Sequence, residues 1–111
     1  MNALNNFFKL LSDETRMRLI VLLYHKELCV SELTEITGIS QPNVSKHLGR
    51  LRDMNIVKDR REEQFIFYSL NINEGINLDI IRLIVENINN YELLKEDLEK
   101  SEELSNEKNI D

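Results

Sequence analysis

The sequence contains little cysteine, proline or glycine: one Cys, one Pro and three Gly in 111 residues. The single cysteine, Cys29, excludes a disulfide framework within the chain and is typical of a protein in a reducing compartment. So few Gly and Pro residues argue against a β-sandwich with its many tight turns, and against low-complexity linkers. With 41% hydrophobic and 31% charged residues, the chain has the composition of one folded domain.

Long apolar runs are also missing. No stretch approaches the roughly 20 apolar residues that a membrane-spanning helix requires. The printed start, MNALNNFFKLLSDE, has no basic segment followed by an apolar one. We therefore expect a cytoplasmic protein with no membrane partner. Two His and one Cys are too few for a metal site that needs many such ligands from one chain.

Positive charge is scarce overall but concentrated in one segment. The net charge is −6, yet residues 41–61 carry six cations and two anions, so the rest of the chain sums to −10. Because exposed charges act over about one Debye length, ~8–10 Å, the local charge decides what this segment attracts. Charge alone leaves two interpretations open, a nucleic-acid contact or a solvated basic face with no partner.

Apolar residues at helical spacing predict four helices in the first half of the chain. They cover residues 2–11, about 14–25, 32–37 and about 41–54. The capping candidates are Ser12 or Asp13, Ser31 and Ser40 at the starts, and Gly38 and Asn55 at the ends. In the fourth helix, Val44, Leu48 and Leu51 fall on one stripe, which we expect to be buried, while polar residues occupy the other faces.

The second half of the chain predicts a small β-hairpin followed by one long helix. The strands are residues 56–60 and 65–70, rich in β-branched and aromatic residues. The helix runs from about Ile76 to Lys100. Its narrow apolar seam suits helix-to-helix packing and consists of Ile81, Ile84, Ile88, Tyr91, Leu94 and Leu98. We expect one domain of residues 1–100 and a flexible acidic tail of residues 101–111.

The predicted fold is mainly α with a small β-hairpin, in the order of a winged helix-turn-helix. An α-helix fits the major groove of DNA, and short polar side chains on its exposed face can reach base edges. The candidates for DNA contact are Gln41, Asn43 and Ser45 at base edges, and Lys46, Arg50, Arg60 and Arg61 at phosphates. These residues lie in the net-positive segment, so the two observations favour double-stranded DNA as partner.

Three stretches, LLSDETRMRLIVLL, ELCVSELTEITGISQPNVSKHLGRLRDMNIV and DRREEQFIFYSL, resemble the arsenic-repressor (ArsR/SmtB) family of bacterial winged-helix repressors over about residues 4–90. The resemblance implies a homodimer that binds an imperfect inverted repeat in an operator and is released by an inducer. It places Gln41, Asn43, Ser45 and Lys46 at DNA-contacting positions and His47 near the DNA. For His47, at the border of the buried stripe, a structural or pH-sensitive role is equally open.

The resemblance also implies that the first and last helices join the two protomers. This agrees with their apolar surfaces, which need something to pack against. The candidate dimerisation residues are Leu4, Phe7, Phe8, Ile81, Ile84, Ile88 and Tyr91.

The identity of an inducer is not settled by the pattern. Metal-responsive relatives carry a Cys pair where this chain has Cys29 and Ser31, and other relatives bind zinc through His on the last helix, whereas residues 76–100 contain no His. We therefore predict no cofactor. Two interpretations of Cys29 stay open, a small buried hydrophobe or a thiol sensor of metal, arsenite or redox state.

Two other classes of function fit the sequence less well than a transcriptional repressor. A winged-helix protein–protein interaction module without DNA binding is the alternative, favoured by the acidic total and by Glu62 and Glu63 at the hairpin tip. An enzyme is not expected, because the sequence has no Gly-rich phosphate loop and no nucleophile beside a base.

Overall fold

A computed structural model describes residues 2–108, without the Lys108 side chain, and this part of the chain forms six α-helices and three strands. The helices are Ala3–Leu11 (α1), Glu14–His25 (α2), Val30–Thr37 (α3), Gln41–Asp53 (α4), Ile76–Glu86 (α5) and Glu92–Lys108 (α6). The strands are Leu28–Cys29 (β1), Val57–Glu62 (β2) and Phe65–Leu70 (β3). A 3₁₀ turn, Ile88–Asn90, separates α5 from α6. None of the described helices is long and apolar enough to cross a membrane.

The core is built around α2. Its residues 19–23 are all buried, and α2 packs against α1, α4, α5, α6 and β3. A helix that is surrounded in this way needs an apolar stripe wider than one face, and the sequence has it. The helix predicted over about residues 14–25 is confirmed, and it lies at the centre of the core.

Most predicted helix ends are confirmed. The Asp13 carboxylate accepts a hydrogen bond from the Arg16 backbone N–H at 3.0 Å and caps α2. Gly38 ends α3 with φ +74°, and Asn55 follows α4 with φ +62°. The start of α3 was predicted wrongly: Cys29, not Ser31, is the N-cap residue, and Glu32 Oε1 accepts from the Cys29 N–H at 3.0 Å.

The predicted hairpin is confirmed, and it has a third strand. The order is β1-β3-β2, all antiparallel, with Leu28 opposite Tyr68 and Cys29 opposite Phe67. The sequence analysis does not predict β1, since two residues are too short for an alternating pattern. The extra strand anchors the hairpin to the start of α3.

The single long helix predicted for residues 76–100 is wrong. The chain leaves the helix at Asn87, whose side-chain N–H₂ donates to the Leu83 carbonyl at 2.7 Å. Tyr91 then adopts an extended backbone, with φ −128°, before α6 begins. Asn side chains compete with helical backbone bonds, and Asn89 and Asn90 follow closely. The seam is therefore divided between two helices that meet at an elbow.

The helix end predicted near Lys100 is also wrong, because α6 continues to Lys108. Ser101 is buried, and Lys26 Nζ donates to the Ser101 carbonyl at 3.0 Å and to the Ser105 hydroxyl. Much of the segment expected to be a flexible tail thus packs on the domain, while residues 109–111 of that prediction lie outside the described residues. The two Ser residues thus contact Lys26, the residue that follows α2, from a region of otherwise acidic sequence.

The turn between β2 and β3 offers a test of local strain. Glu63 has φ +57°, a conformation that costs a non-glycine residue about 1–2 kcal/mol. We expect Glu63→Gly to raise the free energy of unfolding by about 0.5–1 kcal/mol, measured by urea denaturation. Lys58→Gly, at an exposed position within β2, is the control and should lower the free energy of unfolding. Equal destabilisation by both changes would contradict the strain.

Candidate nucleic-acid interface

The orientation of α4 is set by the stripe predicted from the sequence. Val44, Leu48 and Leu51 are fully buried, and α4 packs against α2, α3 and β2. The remaining surface of α4 is open to solvent and presents Gln41, in the first turn, with Asn43, Lys46 and Arg50. Because the buried face cannot rotate outward without emptying the core, the polar face is held in one direction.

Short polar side chains occupy the first turns of α4. Gln41 Nε2 donates to the Ser45 hydroxyl at 3.1 Å, across one helical turn. Ser45 is half-buried, whereas Gln41 and Asn43 are exposed. These groups offer both donors and acceptors, the chemistry that distinguishes base pairs in the major groove.

Two of the three cations of α4 have no internal ion-pair partner among the described residues. Neither Lys46 nor Arg50 makes an ion pair with any side chain that the structure describes. Arg50 lines a small cleft of about 160 Å³ together with Lys9 and Arg16. Arg16 there donates from Nε to the Leu10 carbonyl at 2.9 Å, at the end of α1. The positive surface therefore extends from α4 toward the first helix.

His47 lies at the border that the sequence predicts. The side chain is half-buried, and Nδ1 has no hydrogen-bond partner within residues 2–108. Burial lowers the pKa of the imidazole, the Asp13 carboxylate opposes this, and Arg16, Lys46 and Arg50 lower the pKa further. The neutral form thus prevails at pH 7, so His47 adds no cation to the surface of α4.

The two arginines of the hairpin lie on opposite faces. Arg60 Nη2 and Nε contact both carboxylate oxygens of Glu27 at 2.7 and 3.2 Å, and Nη1 contacts Glu62 at 2.6 Å. Its guanidinium stands 4.9 Å from the centre of the Phe67 ring. The two carboxylates raise the pKa of Arg60, and Arg60 in turn lowers the pKa of Glu27. The predicted phosphate contact by Arg60 stays a prediction, and in this structure two carboxylates compensate the charge of Arg60.

Arg61 points the other way. It pairs across the sheet with Ile66, which lines a cleft of about 280 Å³ beside Gln41 at the start of α4. Opposite residues of an antiparallel pair share a face, so Arg61 lies on the side of the hairpin nearest α4. No ion pair of Arg61 occurs in the described chain. Of the two arginines, Arg61 is the one available to an external anion.

Arg52 shows the same internal compensation as Arg60. Its guanidinium lies 3.2 Å from the Asp59 carboxylate, which raises the pKa of Arg52 through that hydrogen bond. Two of the six cations in residues 41–61 are thus balanced by neighbouring anions. Lys46, Arg50, Lys58 and Arg61 remain as the open positive charge of the segment.

Cys29 is buried at the junction of β1 and α3. Its Sγ lies 3.2 Å from the Ser31 hydroxyl, and it lines the 280 Å³ cleft that also contains Gln41. Within residues 2–108, no three His, Cys, Asp or Glu side chains converge as metal ligands would. The burial agrees with a small hydrophobic role for Cys29, and thiol sensing stays a prediction.

The candidate dimerisation residues divide into two groups. Phe7 and Ile81 are 2% and 0% exposed, packed in the core of the chain itself, so they are not free to meet a second protomer. Leu4, Ile84 and Ile88 are half-buried. On the first helix and in the 76–100 segment, the large exposed apolar side chains are Phe8 and Tyr91, together with Ile76 and Leu83, which the sequence analysis missed. Ile76 and Leu83, seven residues apart, lie on the same outer face of α5.

Sequence reasoning also missed the polar contacts between distant segments. Asp97 is buried in an ion pair with Arg18, although it lies in an acidic stretch. One signal was present: Asp97 falls on the same face of α6 as Leu94 and next to Leu98, both of which pack toward the core. For Glu27, which compensates the charge of Arg60, nothing in the surrounding sequence indicates that contact.

Comparisons with known proteins agree with this architecture. A model of the bacterial regulatory proteins of the arsR family matches residues 13–59. The arsenic resistance transcriptional regulator ArsR1 of Pseudomonas putida is 47% identical over 64 residues, which are 57% of this chain and 50% of ArsR1. The transcriptional repressor SdpR of Bacillus subtilis is 40% identical over 68 residues, 61% of this chain and 76% of SdpR.

A solved structure extends the likeness to the fold. The transcriptional repressor BigR from Xylella fastidiosa matches with a TM-score of 0.65 and 36% identity, covering 73% of this chain and 81% of BigR. The chain spans only half the length of ArsR1 but most of SdpR and of BigR. The aligned part contains the helix-turn-helix, and the matching model describes regulatory proteins. On these grounds the chain belongs to the arsR family of bacterial regulatory proteins.

Proposed function

We propose that this protein is a dimeric transcriptional repressor that binds operator DNA through α4 and the β2–β3 wing. The division of α4 carries the proposal: one face is wholly buried, and the other presents Gln41, Asn43, Lys46 and Arg50 to solvent. Such a helix fits the major groove of B-DNA, which is ~12 Å wide. Repression is supported by SdpR and BigR, both of which are transcriptional repressors.

Each exposed group has a role that follows from its chemistry. Gln41, Asn43 and Ser45 contact base edges and supply sequence preference. Lys46 and Arg50 contact phosphates on either side of the groove, and Arg61 contacts phosphate from the wing. This division separates residues that select a sequence from residues that bind any duplex.

A homodimer accounts for the apolar side chains that one chain leaves exposed. Ile76 and Leu83 are each 58% exposed on α5, and Phe8 of α1 is 51% exposed. A two-fold axis would cover both copies of this surface and present two α4 helices to an inverted repeat. Half-sites then lie about one helical turn apart, ~34–36 Å, or a multiple of it.

The alternative, a protein interaction module without DNA binding, loses part of its support. It drew on the acidic tip of the hairpin, yet Glu62 is paired with Arg60. Release by an inducer remains part of the proposal. A buried Cys29, one per protomer, does not by itself identify that inducer.

Binding to the DNA upstream of the protein's own gene tests the proposal. We expect tighter binding to that DNA than to a shuffled duplex of equal length and composition, measured by fluorescence anisotropy at several salt concentrations. Affinity should fall with a log–log slope of about −0.9 per phosphate contact. Equal affinity for both duplexes, or affinity insensitive to salt, would refute a DNA-binding repressor.

Lys46→Ala should weaken binding to specific and shuffled duplexes alike. Loss of one phosphate contact lowers the magnitude of the salt slope by about 0.9. Lys100→Ala removes an exposed lysine from an acidic part of α6 and serves as the matched control, with an unchanged slope. If both variants change the slope equally, Lys46 has no special position at the interface.

The two wing arginines should behave differently. Arg61→Ala is expected to reduce the salt slope by about 0.9, whereas Arg60→Ala should leave it nearly unchanged, because Glu27 and Glu62 already compensate that cation. The measurement is the same titration with the upstream duplex. A larger change of slope for Arg60→Ala would show that Arg60 leaves its carboxylates to bind phosphate.

Leu83→Glu should convert the dimer to a monomer, because it places a charge in the apolar surface that the second protomer covers. Sedimentation velocity measures the oligomeric state, and the same sample should bind the upstream duplex more weakly. Leu83→Met, which keeps the volume and the apolar character, is the control and should remain dimeric. A dimeric Leu83→Glu variant would place the interface elsewhere.

A further inference from the structure

A buried ion pair joins the C-terminal helix to α2. Arg18 Nε lies 2.8 Å from Asp97 Oδ2, and Arg18 Nη2 lies 2.9 Å from Asp97 Oδ1. The two side chains are only 11% and 2% exposed. This is a two-point, charge-assisted contact of the kind that fixes a guanidinium in one orientation.

The same guanidinium holds the backbone at the helix-turn-helix. Arg18 Nη2 also donates to the Thr37 carbonyl at 2.9 Å. Thr37 is the last residue of α3, and Gly38, with φ +74°, turns the chain toward α4. The Thr37 hydroxyl donates to the Leu33 carbonyl at 2.8 Å and accepts from the Ile39 N–H at 3.2 Å. The turn is therefore held by Arg18 from one side and by Thr37 from the other.

The energetics of buried charge indicate that this contact has a role beyond packing. Desolvation of two buried charges offsets much of their attraction, so an apolar pair of similar volume often stabilises a fold as well or better. What an apolar pair lacks is a donor for the Thr37 carbonyl. The ion pair therefore fixes the turn between α3 and α4, and this turn sets the direction of α4.

Asp97 reaches this position because α6 is anchored along its length. Leu94 is buried one turn earlier, and Lys26 Nζ binds the Ser101 carbonyl at 3.0 Å one turn later. The helix packs against both α2 and α3. Asp97 lies between these two anchors, so its carboxylate is held facing Arg18.

We propose that Asp97 is a positioning residue for DNA recognition: it orients Arg18, which fixes the Thr37 carbonyl and with it the angle between α3 and α4. The proposal rests on the proposed DNA binding. It assigns to α6 a part in sequence discrimination, although α6 itself supplies no DNA-contacting side chain. The aim of α4 matters most for base contacts, since phosphate contacts tolerate small changes of angle better.

The test compares two variants that treat the buried charges differently. Asp97→Asn leaves the Arg18 charge uncompensated, so we expect a lower melting temperature and weaker discrimination between upstream and shuffled DNA. The double variant Arg18→Met with Asp97→Leu removes both charges and should regain the melting temperature. It should still lose discrimination by about ten-fold, as expected when one charge-assisted hydrogen bond is lost. Its affinity for shuffled DNA and its salt slope should stay unchanged.

Amide hydrogen exchange without DNA separates this proposal from the DNA-binding proposal itself. We expect faster amide exchange at residues 38–45 in the double variant than in the wild-type protein. The same is expected of the Asp97→Asn variant, measured at a temperature where circular dichroism shows that this variant is folded. The positioning role would be overturned if the double variant exchanged these amides as slowly as the wild-type protein. It would also be overturned if the double variant preferred upstream over shuffled DNA as strongly as the wild-type protein does. Failure of the wild-type protein to prefer upstream DNA would instead overturn the DNA-binding function.

Discussion

Burial of Val44, Leu48 and Leu51 is the constraint on which the proposed DNA-binding surface depends. These side chains join α4 to α2, α3 and β2, so that the helix can face solvent on one side only. A close-packed core does not permit the helix to rotate, because rotation would open a cavity and expose apolar area. Because one face of α4 is buried, the orientation of its polar face is fixed. The basic and amide side chains on that face are therefore held toward solvent.

A protein of net charge −6 has to keep its few open cations together if it is to attract a polyanion. The structure does this by pairing selectively. Arg52 and Arg60 are compensated by carboxylates nearby, while Lys46, Arg50 and Arg61 face solvent without an ion pair in the described residues. The paired arginines shape the hairpin, and the unpaired cations are free to act on a partner.

Local patterns in the sequence predicted α1 to α4, the hairpin and the buried stripe of α4 because those features depend on short-range rules. Asp13 caps a helix and Gly38 ends one for reasons that lie within a few residues. The elbow at Asn87 was missed because a regular apolar seam outweighed three Asn residues. The continuation of α6 was missed because Ser101 and its neighbours have no apolar pattern, and their support comes from Lys26, the residue that follows α2.

The sequence alone determined the order of elements, the location of positive charge and the buried and polar faces of α4. All of these follow from spacing along one chain. Only the tertiary structure decided that Arg60 is compensated while Arg61 is open, that Phe7 and Ile81 belong to the core, and that Asp97 meets Arg18. Those outcomes depend on contacts between residues up to 79 positions apart, and no periodicity records which distant side chains will meet.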